Sequence, residues 1–78
     1  MTWNHRILAH RYKGDVHFQI HEVYYNEQGN PETHTARAVS IGSDTVKGIS
    51  WTLNRMKECT KKPILWAEER FPEEYKNQ

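Results

Sequence analysis

Five histidines and one cysteine carry most of the reactive chemistry in this chain. The histidines are His5, His10, His17, His21 and His34. An imidazole can act as acid, base or metal ligand near neutral pH. If Lys13 and Gly14 form a two-residue turn, facing residue numbers add to 27 and His10 lies opposite His17. Such a pair approaches within about 5.5 Å at the β-carbons, close enough to share a zinc or similar ion. His21 is on the same face but four residues along, about 13 Å from His17 on a strand, so a third ligand is missing. The plainer reading is a row of solvent-facing imidazoles, and no metal is assigned. The run His17-Phe18-Gln19-Ile20-His21 lacks the glutamate and the helical spacing of a His-Glu-x-x-His motif.

His5 and Glu22 also face one another in this register, with His34 beside them. A carboxylate can orient an imidazole for acid–base work. The alternative is a hydrogen bond at the rim of the core. Cys59 stands near the end of the expected helix, where the helix dipole raises a thiol pKa rather than lowering it. The chain has no Gly-x-Ser-x-Gly and no phosphate-binding glycine loop. No catalytic residue and no cofactor is assigned, and the expectation is a non-enzymatic protein.

The elements that hold these residues follow from the spacing. Strand one is expected over Trp3 to Tyr12 and strand two over Asp15 to Tyr25. Trp3 then faces Tyr24, Ile7 faces Ile20 and Ala9 faces Phe18, all on one side, which is taken as the core side. A second turn, Asn26 to Pro31, places Gly29 where positive φ is needed. Strand three is expected over Thr33 to Ile41, with Ala36 and Ala38 on the core side. Gly42-Ser43-Asp44 ends it, with Ser43 or Asp44 as N-cap of a helix over Thr45 to Thr60. Val46, Ile49, Leu53 and Met56 form its apolar stripe. Pro63 ends it. Trp51 lies off the stripe and is expected under the tail, against Trp66 or Phe71; the alternative is a second interface on that side of the helix.

The fold class is therefore α+β: a three-stranded antiparallel β-meander, then one amphipathic helix packed on one sheet face, with an irregular C-terminal tail. Residues 1–71 form one domain, and residues 72–78 form a polar, frayed tail. The second sheet face is left open. It would carry Arg6, Leu8, His10, Tyr12, His17, Val23, Tyr25, Arg37 and Val39, the residues expected to bind a partner. Tyrosine and arginine around an apolar centre fit a protein partner or a homodimer. The same groups could stack single-stranded nucleic acid. The third possibility is that the tail residues Leu65, Trp66 and Phe71 cover the face themselves.

Some of these segments have a familiar look. The opening Thr2-Trp3-Asn4-His5-Arg6-Ile7, the run from His21 to Pro31, Trp51-Thr52-Leu53 and Lys62-Pro63-Ile64-Leu65 together resemble a family of small uncharacterised bacterial proteins. That likeness covers residues 2–65 and implies a fold without a function. It lacks one expected feature, an acidic pair at the helix start, where this chain has Thr45-Val46-Lys47-Gly48. The meander followed by Gly42-Ser43-Asp44-Thr45 and a helix is also similar to antitoxins of HicB type. That likeness implies a regulatory, nucleic-acid-linked role, although such antitoxins usually carry a DNA-binding segment for which this chain is too short.

Composition narrows the classes. The chain has 78 residues, 36% hydrophobic and 27% charged, with a formal charge of +1. The near-zero charge is unlike that of a strongly basic nucleic-acid binder. No apolar run approaches the ~20 residues of a membrane span, and the N-terminus lacks the plan of a secretion signal. One cysteine rules out an internal disulfide. The expectation is a cytoplasmic bacterial interaction module that self-associates or binds a protein through the open face, with a nucleic-acid-binding, antitoxin-like role as the alternative. No membrane and no small-molecule substrate are expected.

Overall fold

The computed structural model describes residues 2–76. Met1, at the start of the chain, and Asn77 and Gln78, the end of the expected frayed tail, lie outside the described residues. Two long strands, β1 (Thr2–Tyr12) and β2 (Asp15–Tyr25), form an antiparallel hairpin. Their register is the one the turn predicts: Trp3 pairs with Tyr24, Ile7 with Ile20 and His10 with His17. Lys13 and Gly14 both adopt positive φ, as a twisted two-residue hairpin turn requires. Gly29 does the same in the second turn, where the Asn26 side chain accepts from the Gln28 and Asn30 amides.

Strand β3 is short, Pro31–His34, and does not run to Ile41. Its pairing with β2 continues through the Thr35 amide to the Glu22 carbonyl, then breaks and resumes at Val39, whose amide donates to Ile20. The interruption has a local cause. The Thr35 carbonyl accepts from histidine side chains, and its hydroxyl lies within hydrogen-bond reach of His21 and of the Glu22 amide. The chain bends at residues 36 and 37, leaving Ala36 exposed and Ala38 half-buried rather than both in the core.

Helix α1 spans Val46–Glu58 and is capped by Thr45, whose hydroxyl accepts from the Gly48 amide at 2.9 Å, rather than by Ser43 or Asp44. A short 3-10 turn, Cys59–Lys61, extends it. The expected apolar stripe is only partly used. Val46 is 83% exposed and Leu53 about half exposed; burial is confined to Met56 and Cys59 at the C-terminal end. No helix among the described residues is long and apolar enough to cross a membrane.

The class is α+β, but the sheet is not a three-stranded antiparallel meander. A fourth strand, β4 (Leu65–Trp66), pairs parallel to β1, opposite Leu8 and Ala9, and the sheet order is β3-β2-β1-β4. The tail is not frayed as far as Tyr75. Trp66 donates to the Glu73 carbonyl and Tyr75 to the Ile64 carbonyl, each at 2.7 Å. Residues 64–75 thus form a strap that doubles back along the β1 edge of the sheet.

That strap decides where the core lies. Leu8 and Val23 have no solvent exposure and pack with Leu65 and Ala67, flanked by Tyr25 and Phe71. These residues lie on the face that the sequence leaves open. The expectation of an open face is corrected: the chain covers it with its own tail.

Candidate functional site

The two faces of the hairpin follow from strand alternation. One carries Arg6, Leu8 and His10 of β1 opposite His21, Gln19 and His17 of β2, with Val23 and Tyr25 further along. The other carries Trp3, His5, Ile7 and Ala9 opposite Tyr24, Glu22, Ile20 and Phe18.

On the covered face, three expected partner-binding residues are inside. Leu8 and Val23 are core. Arg6 is buried, donating from Nη1 to the Tyr25 hydroxyl at 2.7 Å and from Nη2 to the Pro63 carbonyl at 2.8 Å. Tyr25 in turn donates to Asn4 Oδ1 at 2.8 Å. This network ties the first strand, the second strand and the start of the strap together. An arginine expected to greet a partner instead binds the chain to itself. Tyr12 and Arg37 are exposed, and Val39 is half-buried at the edge of β2.

The histidines form one contiguous group on this face. His10 and His17 stack with ring centroids 5.3 Å apart, as the register predicts. His21 belongs to the same group, which the estimate of distance along the strand misses. Its ring lies 5.0 Å from that of His10, and the two Nε2 atoms are 2.9 Å apart. Strand twist brings such diagonal side chains together. His34 packs edge-on against His21 at 5.3 Å and against Phe71 of the strap at 4.7 Å. Burial pushes His10 and His21 below the ordinary histidine value. Among the described residues no three His, Cys, Asp or Glu side chains converge as a metal shell.

His5 is buried on the other face, with no hydrogen-bond partner for Nδ1. Burial lowers its pKa, with the Glu22 carboxylate opposing and Arg55 reinforcing that shift. The Glu22 carboxylate accepts from the Tyr24 hydroxyl at 2.6 Å. Cys59 shares a cleft of about 240 Å3 with Asn4, His5, Arg55, Glu58 and Lys62. The thiol is buried, and burial pushes it up in pKa, against the pull of Arg6 and Lys62. A buried, protonated thiol is a poor nucleophile.

The face expected to be the core is the one with apolar surface to spare. Trp3 is 41% exposed and Phe18 49% exposed. Ile7, Phe18 and Ile20 line a shallow depression of about 150 Å3. Helix α1 adds Trp51, 58% exposed, which is not covered by Trp66 or Phe71. The Arg55 guanidinium bridges the two indoles, 5.5 Å from the Trp3 ring and 4.8 Å from that of Trp51. At the far end, Phe18 meets Tyr75 edge-on at 5.4 Å. Sequence reasoning named Trp3, Ile7, Phe18 and Ile20 but assigned them to the interior. Their alternation shows that they share a face and is silent on whether anything covers it.

Comparison of the chain with protein-family models, curated proteins and solved structures finds no match.

Proposed function

We propose that this chain is a small interaction module that self-associates through the face carrying Trp3, Ile7, Phe18 and Ile20, with Trp51 of α1 alongside. One observation carries the reading: Trp3 and Phe18 stay exposed on this side while Leu8 and Val23 on the opposite face lie under the strap. Exposed apolar groups clustered on one side of a small domain mark an interaction surface. Tryptophan and arginine, here Trp3, Trp51 and Arg55, are the residue types that anchor interfaces.

A second copy of the chain is the favoured occupant for two reasons. A domain of this size gains much of its stability by oligomerising when its own core is small. Here the buried hydrophobic residues are few, and two of them are alanines. The formal charge of +1 imposes little repulsion between copies and offers little attraction to a polyanion.

Sedimentation equilibrium on the wild-type chain and on Phe18→Asp and Trp51→Asp variants tests this. The expected result is a wild-type dimer that both substitutions dissociate, with circular dichroism unchanged and little effect of salt. A wild-type chain that stays monomeric at high concentration overturns it. Salt-sensitive binding of a labelled single-stranded RNA, lost in Arg37→Glu, moves the reading to nucleic acid.

A further inference from the structure

We infer that His10, His21 and His34, with His17 stacked at the end of the row, form an acid-sensitive latch that holds the C-terminal strap on the sheet. The proposal concerns the covered face and stands apart from self-association through the other one.

The hydrogen bonds assign the protons. His34 Nδ1 lies 2.6 Å from the Thr35 carbonyl, which only accepts, so Nδ1 carries a proton. His34 Nε2 accepts the Glu68 amide N–H at 3.0 Å, so Nε2 carries none. His34 is therefore neutral while the strap is docked. A further proton must go on Nε2, where it meets the Glu68 N–H donor directly. The strap then loses a hydrogen bond beside the place where Phe71 packs on the same ring.

His21 repeats the pattern one layer deeper. Its Nδ1 donates to the same Thr35 carbonyl at 3.0 Å. Its Nε2 meets His10 Nε2, and a bond there needs one proton between two nitrogens. The pair can accept one extra proton and keep that bond. A second extra proton leaves donor facing donor in a site with no solvent exposure at His21. The titratable neighbours are His17 from β2, His34 from β3 and Glu68 from the strap. The two imidazoles oppose added charge, and the Glu68 carboxylate partly offsets them.

The sign follows. Burial lowers His10 and His21 from 6.5, so the stability that their neutral forms give the covered face is complete above that value. It is lost as pH falls through their lower values in the folded chain. Strand β1 and strand β2 pair along their whole length without the strap, so acid releases residues 64–75 before it melts the hairpin. Release uncovers Leu8 and Val23, and with them a second apolar face.

Amide hydrogen exchange by NMR, corrected for the intrinsic pH dependence of exchange, tests the latch on the intact chain. The amides of Trp66, Ala67, Glu68 and Tyr75 report the strap, and those shared by β1 and β2 report the hairpin. Between about pH 8 and about pH 5, where histidine titrates, strap protection is expected to fall tenfold or more relative to the hairpin. The double variant His10→Gln/His34→Gln, with non-titrating polar side chains, is expected to flatten that response. Equal loss of strap and hairpin protection, or an undiminished acid response in the double variant, overturns the proposal. Should the variant not fold, imidazole titration in the wild-type chain decides: strap opening that coincides with protonation of the His10, His21 and His34 group supports the latch, and opening while all three are neutral overturns it.

Discussion

The two faces of the β1–β2 hairpin both carry apolar side chains and meet different fates. Leu8 and Val23 lie under Leu65 and Ala67 with no exposure, while Ile7, Phe18 and Ile20 line a shallow depression open to solvent. The count of hydrophobic residues does not decide which is buried: the open face carries seven (Trp3, Ile7, Ala9, Val16, Phe18, Ile20 and Tyr24) and the covered face only four (Leu8, Tyr12, Val23 and Tyr25). What does is the strap, which adds β4 parallel to β1 and carries Leu65, Ala67 and Phe71 onto the first face. Helix α1 does not do the same for the second face, because only its C-terminal turn is buried. One face is thus committed to holding the chain together, and the other remains free to meet something else.

Truncations compare the two faces most directly. Leu8→Ala is expected to destabilise the fold by about 2–5 kcal/mol in urea unfolding, because it opens a cavity under the strap. Phe18→Ala, measured at a concentration low enough to keep the chain monomeric, is expected to change stability by about 1 kcal/mol or less. Equal losses at the two positions would end the distinction between the faces.

Arg6 sharpens it. Arg6→Met keeps the aliphatic stem but removes the donors to the Tyr25 hydroxyl and the Pro63 carbonyl. The expected loss is about 1–3 kcal/mol, from acceptors left without partners in a buried site. An unchanged urea midpoint would show that the network does not anchor the strap.

The helix gives a smaller effect. Thr45→Ala removes the cap on the Gly48 amide and is expected to cost about 1 kcal/mol. Hydrogen exchange would place that loss in the first turn of α1, leaving the strap amides unmoved. The smallest effect is at the exposed pair Lys61–Glu58, 3.5 Å apart. Lys61→Ala is expected to leave the unfolding midpoint within experimental error, since solvent screens such a pair.

The histidines show how far spacing carries. Pairing across the Lys13-Gly14 turn places His10 opposite His17, and their rings do stack. It gives no hint that His10 also reaches His21, because distance along a flat strand ignores the twist that swings diagonal neighbours together. Nor does it bring in His34, whose position depends on where β3 stops. That stop depends on Thr35, whose carbonyl is taken by His21 and His34 and is lost to the ladder.

What the sequence by itself determined is local: the hairpin register, the turns at Gly14 and Gly29, the span of α1 to within a residue or two, and which side chains share a face. These follow from turn stereochemistry and the two-residue period of a strand, which act over a few residues. Tertiary structure alone decided which face is inside, where β3 ends, that a fourth strand joins the edge, and that Arg6, His5 and His21 serve the interior. Apart from the end of β3, which turns on Thr35 and its histidine partners, those outcomes turn on residues 64–75 docking against strands laid down more than fifty positions earlier. Both faces present enough apolar surface to be buried, so only the contacts made on docking choose between them, and no local spacing encodes those contacts.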